Sequence, residues 1–89
     1  MSEPYKLTLT DAAIADLSDL ERPIAARIVA RLKWLTANAI VYPHTALKGQ
    51  WQGYYRFRAG NYRAIYDLDH ETRALTVIVV GHRRDVYDE

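Results

Sequence analysis

The dipeptide Gly60-Asn61 separates two strand-like runs, residues 54–59 and 62–67, and no other feature of the chain restricts its fold as tightly. A two-residue loop of this composition joins antiparallel neighbours in a tight hairpin, and its length leaves one register. Ala59 then lies opposite Tyr62, Arg58 opposite Arg63, and Phe57 opposite Ala64. Because strand side chains alternate, one face carries Tyr55, Phe57, Ala59, Tyr62, Ala64 and Tyr66, uncharged throughout and suited to packing on helices. The other face carries Tyr54, Arg56, Arg58, Arg63, Ile65 and Asp67.

The remaining periodicities supply what must cover the uncharged face. Residues 5–9 alternate apolar and polar side chains, the period of a half-buried strand. Thr10 is a helix cap with Asp11 in the first turn, which predicts a helix over residues 11–20. Its apolar stripe is Ala13, Ile14, Leu17 and Leu20, with Asp16 and Asp19 toward water. Pro23 suits the first turn of a second helix that runs to about Ala37 and buries Ile24, Ile28, Leu32 and Leu35. So short a link between them predicts an antiparallel helical hairpin, with Arg27, Arg31 and Lys33 solvated. Residues 38–53, interrupted by Pro43, Gly49 and Gly53, read as a loop. Residues 75–80 form a continuous, largely β-branched run, as expected of a central strand covered on both faces. The expected fold is α+β, a single compact domain over residues 1–89 in the order β-α-α-β-β-β, with the helical hairpin packed on an antiparallel-rich sheet.

Composition narrows the function classes. The 89 residues carry a formal net charge of +1 and are 49% apolar, enough for one modest core. No cysteine is present, which excludes disulfides and thiolate zinc sites and points to a reducing compartment, with the cytoplasm expected. The N-terminus lacks the pattern of a secretory signal, and apolar runs such as residues 77–80 are too short to cross a bilayer, so no membrane partner is expected. His44, His70 and His82 lie far apart without paired ligand spacing, so neither a metal nor another cofactor is expected.

Charge is distributed unevenly. Between Lys48 and Tyr66 stand Lys48, Arg56, Arg58 and Arg63 with no acidic residue, and acids return only at Asp67, Asp69 and Glu71. Two guanidiniums directly opposite across a hairpin repel unless an anion sits between them. Either the arginines solvate an outer face and are neutralised by Asp67 or the acidic tail, or they hold a phosphate. Arginine forks match phosphate oxygens bidentately, and nearby aromatics can stack on bases. Most of Tyr55, Phe57, Tyr62 and Tyr66 are nevertheless better explained as core.

The element order, the loop ending Ala46-Leu47-Lys48-Gly49, the hairpin from Tyr55 to Tyr66, and the ending Val80-Gly81-His82-Arg83-Arg84-Asp85-Val86-Tyr87 together resemble the RelE/ParE superfamily of type II toxins, most closely its RelE branch. The resemblance implies a RelE-like fold and a metal-independent, ribosome-dependent endoribonuclease that cuts messenger RNA in the decoding site and inhibits translation. It also implies a RelB-like antitoxin partner encoded beside it, expected to lay an acidic and apolar segment over Arg56, Arg58 and Arg63. By position, Arg63 matches the arginine that stabilises the scissile phosphate, Arg83 a second such arginine, and Tyr87 the C-terminal tyrosine at the cleaved nucleotide. Arg56 stands where well-studied relatives have a lysine, and Tyr54 where they have another. Arginine keeps its proton at neutral pH, so Arg56 is assigned an electrostatic catalytic role. The spacing between Arg83 and Tyr87 is also two residues shorter than in some relatives.

Lys48, Arg58, Arg84, Tyr54 and His82 complete the expected RNA contacts, with other readings beside them. Lys48 and Arg84 are also explained as solvated charges, His82 as a strand-end residue hydrogen-bonded to backbone or solvent, and Trp51 as packing beneath its loop. The alternative function is a ParE-like DNA gyrase inhibitor without nuclease activity, against which the basic hairpin, Arg83 and Tyr87 weigh.

Overall fold

The computed structural model describes residues 3–82. Strand β1 (Lys6–Leu9) leads into helices α1 (Asp11–Ser18) and α2 (Arg22–Ala37). There follow a two-residue strand β2 (Thr45–Ala46), a 3-10 turn (Gly49–Trp51), and strands β3 (Tyr55–Ala59), β4 (Tyr62–Asp69) and β5 (Ala74–His82). The five strands form one sheet in the order β1-β5-β4-β3-β2, with β1 parallel to β5 and the other pairs antiparallel.

The hairpin forms in the register that its turn dictates, with Ala59 opposite Tyr62, Arg58 opposite Arg63 and Phe57 opposite Ala64. Gly60 has φ of 63°, which the first loop position of a type II′ turn requires and which an L side chain would resist. The uncharged face packs on both helices. Phe57, Ala64, Tyr66, Leu75 and Val77 are each at most 1% exposed and share one core with Ala13 and Leu17 of α1 and Ile28, Leu32 and Leu35 of α2.

Two local expectations are corrected. Within residues 38–53, Thr45 and Ala46 pair with Arg56 and Tyr55 and so form an edge strand, too short to leave a periodic signal. In α1, Ile14 is 48% exposed, whereas Asp16 is half-buried and its Oδ2 accepts the Val80 N–H at 2.9 Å. The helix leans on β5 through the row of Ala13, Asp16 and Leu17, residues three and four apart that share one side, and this turns Ile14 outward.

Strand β5 lies centrally, between β1 and β4, as its continuous apolar run predicts, and carries an irregularity. Its pairing with β4 slips between Ile65 and Tyr66, which face Val79 and Val77, so Ile78 is an extra residue in a bulge. Thr10 closes on that bulge from α1. Its hydroxyl accepts the Ala13 N–H at 3.1 Å as the helix cap and donates to the Ile78 carbonyl at 2.6 Å, while its backbone N–H donates to the Val77 carbonyl at 3.0 Å. Side chains beyond Ile78 therefore change faces. Val80 and His82, opposite Ala64 and Tyr62, stand on the helix side, and Gly81, opposite Arg63, stands on the other.

Candidate functional site

The face of the hairpin turned away from the helices gathers three of the expected site residues. Arg58 is exposed, and Arg56 and Arg63 are half-buried. Arg58 lies directly opposite Arg63, and Arg56 is diagonal to Arg63. Directly opposed Cβ atoms are about 5 Å apart and diagonal ones about 7–8 Å, so three guanidiniums on long side chains can converge on one anion. Ile65, with Arg56 on one side and Val79 on the other, is fully buried between the charged positions. Gly81, paired with Arg63, contributes no side chain to this face.

Tyr54 precedes β3 and continues the alternation of Arg58 and Arg56. Its ring meets that of Trp51 edge to face at 5.8 Å, and its N–H donates to the Trp51 carbonyl at 3.1 Å. Trp51 thus closes its own loop. Lys48 is exposed at the start of the 3-10 turn, off the strands that carry the arginines.

The structure does not bring His82 to this face. Its ring packs edge to face on Tyr62 at 5.6 Å, on the helix side of the sheet, because of the bulge at Ile78. Arg83, Arg84 and Tyr87 lie outside the described residues. Among the described residues, no group of three or more His, Asp or Glu side chains gathers as a metal site, and no helix is long and apolar enough to cross a membrane.

Beneath β3 and β4 the hairpin is held by contacts that sequence reasoning missed. His44 Nε2–H donates to the Ala39 carbonyl at 2.6 Å, which leaves Nδ1 to accept from the Tyr66 hydroxyl. The His44 ring also meets those of Tyr42, Tyr55 and Tyr66. Burial, reinforced by Tyr42 and Tyr55, pushes the Tyr66 phenol well above its ordinary range. The buried hydroxyl therefore stays protonated and keeps its donor role. At the far end of β4, Asp69 Oδ1 accepts the N–H groups of Glu71 and Thr72 at 3.0 and 3.2 Å, and these bonds, that of Thr72 first, hold its carboxyl below the usual range. The only sequence signals for these features were an isolated histidine in a loop and an aspartate before a turn, both too common to single out.

Residues 7–87 match the family described as the ParE toxin of the type II toxin–antitoxin system, parDE. The chain is 29% identical over 84 residues to Toxin RelG of Mycobacterium tuberculosis, an alignment spanning 94% of this chain and 97% of that protein. Among solved structures, the toxin–antitoxin complex RelBE2 from Mycobacterium tuberculosis contains a chain with TM-score 0.81 and 29% identity, covering 92% of this chain and 94% of that one. The archaeal RelE–RelB complex from Pyrococcus horikoshii shares the fold at TM-score 0.74 and 19% identity, covering 94% of this chain and 100% of that one. The isolated Escherichia coli RelE toxin does so at 0.71 and 18%, covering 88% and 83%.

Proposed function

The chain belongs to the ParE toxin family of type II toxin–antitoxin systems, and from that premise we propose that it is a ribosome-dependent endoribonuclease that cuts messenger RNA in the decoding site and so stops translation. The observation that carries this reading is Arg58 directly opposite Arg63 with Arg56 on the diagonal, three guanidiniums grouped on one face of the hairpin whose forks match the oxygens of an RNA phosphate.

RNA carries its own nucleophile. The 2′-oxygen attacks the adjacent phosphorus, its bond to phosphorus forms as the bond to the 5′-oxygen breaks, the 2′-proton leaves to solvent, and the departing 5′-oxygen takes one up. The upstream product ends in a 2′,3′-cyclic phosphate, and neither a metal nor a redox partner is required. Arg63 and Arg83 are assigned to the charge that builds on the phosphorane, where a fixed donor is worth about 10²–10³ in rate. Arg56 acts electrostatically, and Tyr87 stacks on the nucleotide and orients the 2′-hydroxyl. Lys48, Arg58, Arg84 and Tyr54 bind flanking RNA. By likeness to the RelBE2 and RelE–RelB complexes, a RelB-like antitoxin restrains the protein in the cytoplasm.

A second reading, a DNA gyrase inhibitor, is favoured by the ParE description of the matched family. Brief induction followed by primer extension separates the two. New transcript ends inside translated regions support the nuclease, and a DNA damage response without new ends supports the gyrase inhibitor. Replacing the 2′-hydroxyl at the cut site by hydrogen is expected to stop cleavage, and cleavage at an undiminished rate overturns the mechanism.

A further inference from the structure

Helix α2 and the hairpin face each other along a seam that differs at its two ends. At the hairpin turn the seam is open, a groove of about 400 Å³ rimmed by Arg27 and Arg31. At the other end it is closed by the segment that follows the helix. There Tyr42 packs edge to face on Trp34 of α2 and on Phe57 of β3, each at 5.7 Å between ring centres. His44, two residues on, packs against Tyr42 at 5.3 Å and reaches the Tyr66 hydroxyl of β4.

Strand β2, which starts at the next residue, is too short to be held by its own ladder. It pairs Thr45 with Arg56 and Ala46 with Tyr55, and one further bond runs from the Leu47 N–H to the Tyr54 carbonyl at 3.0 Å. His44 supplies the missing anchor. Its Nε2–H donates to the carbonyl of Ala39, just beyond α2, at 2.6 Å, and its Nδ1 accepts from the Tyr66 hydroxyl. One neutral imidazole thus ties the end of α2 to β4, two strands in from β2.

On the opposite face of the sheet the same segment borders the arginines. Cross-strand partners share a face, so exposed Thr45 stands beside Arg56, and exposed Lys48 follows β2 by two residues. Arg56 is flanked by β2 on one side and β4 on the other, whereas Arg58 and Arg63 are held by the pairing of β3 with β4. Without the anchor, β3 becomes the edge of the sheet and Arg56 loses one of its two walls.

We propose that His44 is a positioning residue for cleavage: by tying Ala39 to Tyr66 it holds β2 against β3, and so sets where Arg56 and Lys48 meet the RNA. The proposal rests on the reading of the chain as a nuclease that takes RNA on its arginine face. His44 touches no substrate and acts through β2 alone. The packed side of the sheet thereby reaches the cationic side at one defined place.

A second tyrosine–histidine pair supplies a matched control. The Tyr5 hydroxyl lies 2.5 Å from His70 Nδ1 with the rings edge to face at 5.7 Å, beside β1, at the edge of the sheet opposite β2. The test uses the full-length protein in single-turnover cleavage on programmed ribosomes, with amide hydrogen exchange and chemical denaturation alongside. His44→Ala and Tyr66→Phe are each expected to slow cleavage at saturating protein by about tenfold or more. The Leu47 amide should lose protection by about tenfold or more relative to that of Val80. Tyr66→Phe keeps its ring and carries the test if His44→Ala does not fold. His44→Gln, whose carboxamide offers one donor and one acceptor, is expected to cleave within about threefold of the parent. Tyr5→Phe should lower the denaturation midpoint as Tyr66→Phe does and leave the cleavage rate within about twofold. A parent that leaves the message uncut overturns the nuclease reading and the positioning role with it. If the parent cleaves and folded Tyr66→Phe cleaves equally fast, the positioning role alone is overturned. The same holds if Tyr5→Phe slows cleavage as much as Tyr66→Phe, since the loss then follows stability and not β2. A His44→Gln variant as slow as Tyr66→Phe also overturns it, since the ring would then act by its packing and not by its two bonds.

Discussion

On the helix side of the hairpin, Phe57, Ala64 and Tyr66 are buried under α1 and α2, and among the described residues charge appears at the margin, where Arg27 and Arg31 rim the groove. One residue along each strand, on the other side, Arg58 faces Arg63 and Arg56 flanks them. The same two strands thus carry a packed surface and a cationic one, which teaches that their residues were placed by different requirements. Substitutions on the first side should cost stability. Those at the arginines of the second should cost activity and leave the fold alone.

The largest expected effect breaks the packed side. Phe57→Ala removes a ring that is 1% exposed beneath the Arg31 guanidinium and is expected to cost about 3–5 kcal/mol, seen as a fall in the chemical denaturation midpoint. A loss below about 1 kcal/mol would show that this face is not the core.

Arg63→Ala tests the other side of the same comparison. Cleavage on programmed ribosomes is expected to slow by about a hundredfold or more, while the stability of the free protein changes by less than about 1 kcal/mol, since Arg63 lies on the face turned away from the helices. A folded variant with full activity would remove Arg63 from the site, and an unfolded one would place it in the core.

Tyr66→Phe sharpens the packed side by deleting one hydroxyl. It leaves His44 Nδ1 without its donor and is expected to cost about 1–2 kcal/mol at neutral pH. The pH dependence has a defined sign. The folded state holds the Tyr66 proton more tightly than the unfolded chain, so this contribution is fully present below the unfolded value of about 10 and is lost as pH rises beyond it. Titrations from pH 9 to 11 should show a stability decline that is shallower in Tyr66→Phe than in the parent. Equal slopes would show that the hydroxyl is not protected by the fold.

His82→Ala asks which face the end of β5 serves. With its ring against Tyr62, His82 lies on the side away from the arginines, and its loss is expected to slow single-turnover cleavage by less than about tenfold. A larger defect would make the imidazole part of the catalytic machinery.

The smallest effect lies at the far end of β4. Asp69 is held below the usual carboxylate range by the N–H groups of Thr72 and Glu71, so its contribution is present above the unfolded value of about 3.9 and is lost as pH falls through the folded value. Asp69→Asn keeps an accepting oxygen but cannot titrate, and its stability between pH 5 and pH 2 should fall less steeply than the parent's. Identical acid profiles would remove Asp69 from the account.

Much of this molecule was legible in advance because its signals are local. Loop length sets a hairpin register, so Gly60-Asn61 determined which residues of β3 and β4 share a face and thereby the opposition of Arg58 and Arg63. Threonine before an amphipathic run determined the start of α1, and the stripe of Ile28, Leu32 and Leu35 determined which side of α2 is buried. What only the tertiary structure decided are the features that require two distant segments to meet. Strand β2 exists because Thr45 and Ala46 reach β3, and Tyr66 has an acceptor because His44 comes to it from the preceding loop. The bulge at Ile78 is stitched by Thr10 and Asp16, more than sixty residues away in the chain, whose side chains bond the backbone of Ile78 and of Val80 just beyond it. Strict alternation from Leu75 and Val77 would place His82 on the outer face with the arginines. One extra residue in the strand exchanges the faces of everything after it, and so His82 stands against Tyr62 at the groove.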